Sequence, residues 1–124
     1  MIRTVALAST LIVLAGCVQA VDMADLRSEI GSDPVIMLST STCGYCKKMR
    51  ADLDSWNVEF LDIDVERNRN GQRAYEMLEG RGVPILLVGE KTVHGYDPER
   101  ARALLGAADL IPENSNPQSP HTAR

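Results

Sequence analysis

Two cysteines separated by two residues, Cys43 and Cys46, are the feature that most constrains this chain. The apolar run from Val35 to Leu38 that precedes them is typical of a strand covered on both faces. Residues 44–55 repeat apolar side chains at helical spacing and predict a helix that begins at the pair. Cys43 is thus expected at a helix N-terminus, where unpaired N–H groups and the helix dipole stabilise a thiolate. Since the thiolate is the reactive form of cysteine, this pattern suits an attacking thiol followed by a resolving thiol.

Two other interpretations of the pair stay open beside the redox one. A structural disulfide between Cys43 and Cys46 would close so short a loop that it would add little stability. Half of a zinc site would need two further ligands, and the candidates are His94, His121 and Cys17. We therefore predict thiol–disulfide exchange, in which the first cysteine forms a mixed disulfide and the second releases the reduced substrate.

The first 20 residues have the pattern of an export signal. Arg3 supplies one positive charge, and an apolar run without charges follows from Thr4 to Leu14. The next residues, up to Cys17, resemble the lipobox of bacterial lipoproteins, which implies lipidation of Cys17 and a membrane anchor. Cleavage after Ala20 and an uncleaved anchor are the alternatives. All three possibilities place the domain outside the cytoplasm, on the periplasmic side and in an oxidising compartment.

The rest of the chain predicts one small α/β domain over residues 21–106. The expected elements are helices over 21–30, 44–55, 70–79 and 97–106 and strands over 35–38, 58–63, 85–88 and 92–94. Gly31, Gly80 and Gly106 are expected to end three of the helices. The order of elements predicts a four-stranded mixed sheet flanked by helices on both faces. Residues 107–124 contain three prolines and little apolar content, which predicts a disordered tail.

The helix after the cysteines is predicted to be amphipathic. Its apolar face consists of Cys46, Met49, Leu53 and Trp56. Its charged residues are expected mostly on the solvent side: Lys47, Lys48, Arg50, Asp52 and Asp54. The stretch from Ser39 to Thr42 is expected to be a polar loop. A net charge of −4 without a basic stripe argues against nucleic acid as a partner.

At three places the sequence resembles the glutaredoxins, a family of the thioredoxin-like superfamily. These are Cys43 to Cys46 after the first strand, Val83-Pro84 before the third strand and Gly95-Tyr96-Asp97 before the last helix. The resemblance covers Pro34 to Leu105 and implies a glutaredoxin-like domain with a thioredoxin-like fold. It also implies that Cys43 is the nucleophile and Cys46 the resolving thiol.

The same resemblance implies a set of substrate-binding residues: Tyr45, Val83, Pro84, Gly95, Tyr96 and Asp97. Pro84 would follow a cis peptide bond, and because proline lacks an N–H, the adjoining backbone would be left to pair with a substrate. Tyr45 would shape the substrate groove or simply cover the helix end. Asp97, followed by proline, is also expected to cap the last helix.

The sequence departs from the family pattern at three positions. Gly44 stands where proline is usual, the stretch from Ser39 to Thr42 contains no lysine, and His94-Gly95 replaces the usual glycine pair. The contacts that select glutathione are thus partly missing, so no cofactor is predicted and glutathione is only an alternative reductant. The pattern is closer to glutaredoxin-like proteins that take electrons from other protein thiols.

We therefore expect an exported thiol–disulfide oxidoreductase that reduces protein or small-molecule disulfides. Its electrons would come from a membrane donor or from exported thiols. The alternative is a binding module that bridges an iron–sulfur cluster through Cys43 or carries a soft metal such as Cu(I), which thiolates favour. A lipid-tethered thioredoxin-like domain that acts through partner contacts is the third hypothesis.

Overall fold

The computed structural model describes residues 20–112, so the predicted signal segment with Cys17 and the tail beyond residue 112 lie outside the described residues. The helices are α1 (Met23–Ile30), α2 (Gly44–Ser55), α3 (Arg69–Met77) and α4 (Pro98–Ala107). The strands are β1 (Val35–Ser39), β2 (Leu61–Asp64), β3 (Ile85–Val88) and β4 (Lys91–His94). Within residues 20–112, no helix is long and apolar enough to cross a bilayer.

The four strands form one mixed sheet in the order β2-β1-β3-β4. Strand β1 pairs in parallel with β2, and the pairs β1–β3 and β3–β4 are antiparallel. A two-residue turn at Gly89 and Glu90 joins β3 to β4, since Val88 pairs with Lys91. This arrangement confirms the predicted four-stranded mixed sheet.

Alternation along β1 divides the core into two layers. Val35 and Met37 point to one face of the sheet, where α2 and α4 contribute Met49, Leu53, Ala101 and Leu105. Ile36 and Leu38 point to the other face, where α1 and α3 contribute Leu26, Ile30 and Ala74. All five β1 residues are buried, as expected for a strand covered on both sides. Helix α2, which begins at the cysteine pair, is thereby packed against the sheet.

Three helices end in a Schellman motif, in which a non-glycine residue has positive φ. Asn57 (φ 54°), Glu79 (φ 52°) and Asp109 (φ 55°) take this position after α2, α3 and α4. The predicted roles of two glycines were therefore wrong: Gly106 is helical, and Gly80 lies one residue past the left-handed position. Glycine is required at position 80 for steric reasons, because a Cβ there would lie 2.3 Å from the ring of Tyr75.

The same motif explains why β2 begins later than predicted. The N–H of Val58 donates to the carbonyl of Leu53 (3.0 Å), so it completes the end of α2 instead of entering the sheet. The strand begins at Leu61 and not at Val58. Val58 and Phe60 nevertheless pack against the α2–α4 side of the core.

The packed chain also extends beyond the predicted domain limit at residue 106. Helix α4 continues to Ala107, and the N–H of Leu110 donates to the carbonyl of Leu105 (2.9 Å). Leu110 and Ile111 pack against the α2–α4 side of the core. The folded part thus continues to Ile111, because Leu110 and Ile111 pack against the core.

Candidate active site

Cys43 lies at the position predicted for it, as the N-cap of α2. Its backbone is extended (φ −83°, ψ 113°), and its Sγ accepts a hydrogen bond from the backbone N–H of Cys46 at 3.1 Å. On the other side, the Cys43 thiol donates to the carbonyl oxygen of Val83 at 3.6 Å. The sulfur is half-buried and faces the loop that leads to β3. Cys43 thus presents a half-buried sulfur at the N-terminus of α2, between the backbone of Cys46 and the loop before β3.

Cys46 lies one turn further along α2 and is completely buried. Both cysteines are free thiols. Burial, the largest cause, raises the pKa of Cys46 to about 12, and a hydrogen bond with Cys43 acts in the same direction. A backbone hydrogen bond with Thr40 and the positive charge of Arg50 oppose the rise. The two thiols therefore differ in accessibility, as attacking and resolving thiols do.

The loop before β3 brings the residues implied by the family resemblance next to Cys43. The peptide bond between Val83 and Pro84 is cis, as the resemblance implies. The N–H of Gly95 donates to the carbonyl of Pro84 at 2.8 Å, which holds the end of β4 against this loop. Val83 thus contacts Cys43, and Gly95 is bonded to the next residue of the same loop, Pro84.

Tyr45 and Tyr96 form an aromatic pair beside the cysteines. Their ring centroids are 5.7 Å apart with an interplanar angle of 24°, and Tyr45 is 59% exposed. The Tyr96 hydroxyl donates to Asp52 at 2.6 Å, and this bond raises the pKa of Tyr96. Lys48 Nζ lies 5.3 Å from the centre of the Tyr45 ring. Asp52 is therefore not simply a solvated charge, as the sequence predicted, but a contact between α2 and the segment before α4.

Asp97 caps α4, as predicted. Its carboxylate accepts from the N–H of Arg100 at 3.0 Å, and Pro98 occupies the first turn. His94 is the last residue of β4 and is exposed. This position agrees with the strand that the sequence predicts over residues 92–94.

Two grooves flank the Val83 segment. The first, of about 550 Å³, is lined by Leu78, Glu79, Arg81, Gly82, Val83, His94 and Gly95. The second, of about 420 Å³, is lined by Thr40, Val65, Glu66, Gln72, Tyr75, Gly82 and Val83. Val83 lines both and also accepts the hydrogen bond from Cys43. A molecule bound in either groove would therefore contact the residue that is hydrogen-bonded to Cys43.

Sequence reasoning missed a polar cluster between α2 and the sheet, which we call the Arg50 cluster: Ser39, Arg50 and Asp62. Arg50 Nε donates to Asp62 Oδ2 (2.5 Å), and a second guanidinium nitrogen donates to Ser39 Oγ (2.9 Å). The Ser39 hydroxyl donates to the other carboxylate oxygen of Asp62. Ser39 is 1% exposed and ends β1, so its predicted place in a loop was wrong.

The Arg50 cluster lies beneath the turn of α2 that carries Cys46, because Arg50 is four residues further on the same helix. The expected solvent position of Arg50 was therefore only partly right, since its side chain is 30% exposed. The spacing of four residues was a signal in the sequence, but the partners come from two separate strands. Among residues 20–112, no three His, Cys, Asp or Glu side chains come together as metal ligands.

Comparison with known proteins shows which family the chain belongs to. The glutaredoxin family profile matches residues 35–93. A glutaredoxin-like 8.6 kDa protein in the rubredoxin operon of Clostridium pasteurianum is 30% identical over 60 residues, which cover 48% of this chain and 80% of that protein. Glutaredoxin-1 of Rhizophagus irregularis is 32% identical over 72 residues, which cover 55% of this chain and 71% of that protein. The chain belongs to the glutaredoxin family.

Solved structures of the family share the architecture. A buckwheat glutaredoxin in complex with glutathione matches with a TM-score of 0.58 and 23% identity, over 73% of this chain and 94% of that chain. At this identity the likeness shows the fold, and it confirms the predicted thioredoxin-like arrangement. The extension of α4 to Ala107 and the packing of Leu110 and Ile111 lie outside the matched stretch 35–93.

Proposed function

We propose that this glutaredoxin family member is a thiol–disulfide oxidoreductase with Cys43 as nucleophile and Cys46 as resolving thiol. The observation that carries the proposal is the contrast between the two thiols at the start of α2. The Cys43 sulfur is half-buried and accepts an N–H bond at 3.1 Å, whereas Cys46 is fully buried one turn away. This is the arrangement that stepwise exchange needs.

The reaction proceeds in two steps. The Cys43 thiolate attacks one sulfur of the substrate disulfide, the substrate S–S bond breaks, and the first substrate thiolate leaves with the bonding electron pair and takes up a proton. The Cys46 thiolate then attacks Cys43 Sγ and expels the second substrate sulfur as a thiolate, which is protonated in turn. The substrate disulfide is reduced to two thiols, and the protein dithiol is oxidised to a Cys43–Cys46 disulfide.

The proposed substrates are protein or small-molecule disulfides that bind along the Val83 segment. Val83 and Pro84 would contact the substrate backbone, and the exposed Tyr45 ring would contact side chains next to the substrate cysteine. Gly95, Tyr96 and Asp97 would form the far side of this binding region. The two grooves beside Val83 support this placement.

The proposed direction is reduction, with electrons from a membrane donor or from exported thiols. The absence of a lysine between Ser39 and Thr42 and the presence of Glu66 in the second groove disfavour an anionic ligand such as glutathione there. Glutathione therefore stays the alternative reductant.

The proposed location is the periplasmic side of a membrane, with a lipid anchor at Cys17. The apolar run from Thr4 to Leu14 followed by small residues and cysteine supports it. Replacement Cys17→Ser should move the protein from the membrane fraction to the soluble fraction if the anchor is lipid. Cleavage after Ala20 would instead leave both forms in the soluble fraction.

The deciding experiment is the equilibrium of the Cys43–Cys46 pair with thiol buffers, in a chain that begins at Val21. A two-electron couple below about −200 mV agrees with a reductant, and one near about −120 mV would make the protein an oxidant. If no two-electron couple appears, the oxidoreductase proposal fails. Colour after anaerobic purification, or copper retained in proportion to protein, would then favour the iron–sulfur or Cu(I) alternative.

A further inference from the structure

We propose that Arg50, held in place by Asp62 and Ser39, is a positioning residue that stabilises the developing thiolate of Cys46 during the second step of exchange. This inference rests on the proposed function and extends it to a residue outside the cysteine motif. It concerns the side of α2 that faces the sheet, where Cys46 is buried.

The geometry places Arg50 on the same face of α2 as the resolving thiol, one turn further along the helix. Cys46 and Arg50 are four residues apart on α2 and share one face of the helix. Arg50 extends from this face to Asp62 on β2 and to Ser39 at the end of β1. The residue after Ser39 is Thr40, whose backbone hydrogen-bonds to Cys46. Arg50 is thus bonded to Ser39 at the end of β1, and the Cys46 thiol is bonded to Thr40, the next residue.

Asp62 and Ser39 limit where the positive charge can go. The carboxylate binds the guanidinium through Nε, and Ser39 Oγ accepts from a second nitrogen while its own hydroxyl donates to Asp62. Because Ser39 is 1% exposed, these bonds fix the inner end of the cluster under α2. A lone arginine that is 30% exposed would otherwise extend into water, where its field is screened.

The charges around Cys46 favour this role for Arg50. The positive charge of Arg50 acts to lower the pKa of the Cys46 thiol, against the larger effect of burial. Lys47 and Lys48 lie on the same helix but are exposed, and Lys48 is placed over the Tyr45 ring. Besides the Thr40 backbone, Arg50 is the group that offsets the burial of the Cys46 thiol.

The step in question balances without any further reactant. In the mixed disulfide, the Cys46 thiol loses its proton, its sulfur forms the bond to Cys43 Sγ, and the Cys43–substrate bond breaks. The substrate sulfur leaves with the bonding pair and receives a proton from water. Negative charge therefore passes through the Cys46 sulfur next to Arg50, so a fixed positive charge there lowers the energy of the transition state.

Dithiodipyridine, a neutral aromatic disulfide with a coloured thiol product, separates the two steps. The attack of Cys43 releases one equivalent of product in a first phase, and the attack of Cys46 releases a second equivalent in a later phase. Stopped-flow absorbance on the full chain with the replacement Cys17→Ser, which removes the third thiol that would react with the reagent, measures both. If the wild-type protein releases one equivalent only, the proposed function fails; the inference on Arg50 is judged on the ratio of the two phases.

Replacement Arg50→Met should slow the second phase roughly tenfold, since an adjacent charge is worth about one pKa unit at a partly exposed site. The first phase should change less than the second. Arg50→Lys, which keeps the charge, should restore most of the second-phase rate, and Asp62→Asn should slow that phase by a smaller factor than Arg50→Met. Lys47→Met removes a positive charge from the exposed side of the same helix and is the matched control, with both phases unchanged.

Three results would overturn the inference. The second phase in Arg50→Met could be as fast as in the wild type, both phases could be slowed equally, or Arg50→Met and Lys47→Met could have equal effects. Arg50→Gln is a second neutral variant that retains hydrogen-bond donors for Asp62 and Ser39. It decides the outcome if thermal unfolding shows that Arg50→Met is poorly folded.

Discussion

The two sides of helix α2 use a carboxylate for different purposes. On the sheet side, Asp62 holds a positively charged group, Arg50, beneath the buried thiol. On the side of α4, Asp52 holds a neutral phenol, Tyr96, which stacks on the exposed Tyr45 ring. In our proposals the first cluster acts through its electric field on a sulfur, whereas the second presents an aromatic surface to the substrate. Chemistry and recognition would then be separated across one helix.

Burial explains the difference between the clusters. The Arg50 cluster includes a serine that is 1% exposed, so its hydrogen bonds exclude water at the inner end. The second cluster is built around Tyr45, which is 59% exposed. Electrostatic interactions strengthen where water is excluded and weaken where it has access. We therefore expect changes on the sheet side to affect rate and stability more than changes on the α4 side.

The largest effect should come from the two cysteines themselves. Cys43→Ser should abolish disulfide reduction, because serine does not form the thiolate that attacks the substrate. Cys46→Ser should retain the first step and stop at a stable mixed disulfide. Mass spectrometry on chains that also carry Cys17→Ser, after mixing with a substrate disulfide, measures this difference as one adduct per chain in Cys46→Ser and none in Cys43→Ser.

The opposite pattern would contradict the assignment of roles. An adduct on Cys46 in the Cys43→Ser variant would mean that the buried thiol is accessible enough to attack. Turnover in Cys46→Ser at the wild-type rate would mean that an external thiol, and not Cys46, resolves the mixed disulfide.

The second prediction concerns pH and the buried thiol. The pKa of Cys46 is raised from 9.0 to about 12, chiefly by burial, so its thiolate is scarce at neutral pH and becomes more abundant as pH rises. The contribution of Cys43 disappears in the mixed disulfide, whereas burial persists. The second phase of the dithiodipyridine reaction should therefore accelerate roughly tenfold per pH unit from pH 6 to 8.

A second-phase rate that levels off below pH 8 would contradict this prediction. It would mean that the thiolate is already formed in the mixed disulfide, with Arg50 and the Thr40 backbone outweighing burial. The first phase, followed in the same samples, controls for effects of pH on the reagent.

Much of the fold followed from local pattern, because each element carries its own signal. The apolar run at Val35 predicted a central strand, and Asp97 before a proline predicted the start of α4. The Cys43 N-cap followed from the strand-to-helix transition. Helix ends were less predictable, since Glu79 takes the left-handed conformation after α3, for which Gly80 was the expected residue.

The polar clusters were not predictable from the same patterns. Ser39, Arg50 and Asp62 come from two strands and a helix, and they meet only because β1 and β2 pair in parallel with Met37 opposite Asp62. From the sequence alone, a charged residue on a helix is assigned to the solvent side, because its partners on the strands depend on the sheet register. The same holds for Asp52, whose partner Tyr96 is 44 residues away in the sequence.

The third prediction compares a buried and an exposed serine. Ser39→Ala removes a hydroxyl that bonds to both Arg50 and Asp62. We expect a loss of about 1–2 kcal/mol in the free energy of unfolding, since hydrogen bonds to charged groups contribute more than neutral ones but these partners are partly exposed. For a domain of this size the melting temperature should fall by roughly 5–10 °C.

Ser41→Ala is the matched control, because Ser41 is exposed and two residues away. Its effect on stability should lie within about 0.5 kcal/mol of zero. Equal melting temperatures for the two variants would show that water replaces the Ser39 hydroxyl, and the proposed rigidity of the Arg50 cluster would be lost.

The smallest expected effect lies on the α4 side, at the Tyr96 phenol. Its pKa is raised above the ordinary 10.0, because the hydroxyl donates to the Asp52 carboxylate and its ionised form would face that negative charge. The stability that this bond contributes is thus present below pH 10 and is lost as pH rises through the pKa of Tyr96 in the folded protein. Ultraviolet titration of the tyrosines should show one transition that disappears in Tyr96→Phe and moves to lower pH in Asp52→Asn.

If Asp52→Asn leaves that transition in place, the carboxylate does not hold the phenol in solution. Stacking alone would then hold Tyr45 and Tyr96 together. A carboxylate would fix its partner only on the sheet side of α2, at Asp62, and not on the α4 side.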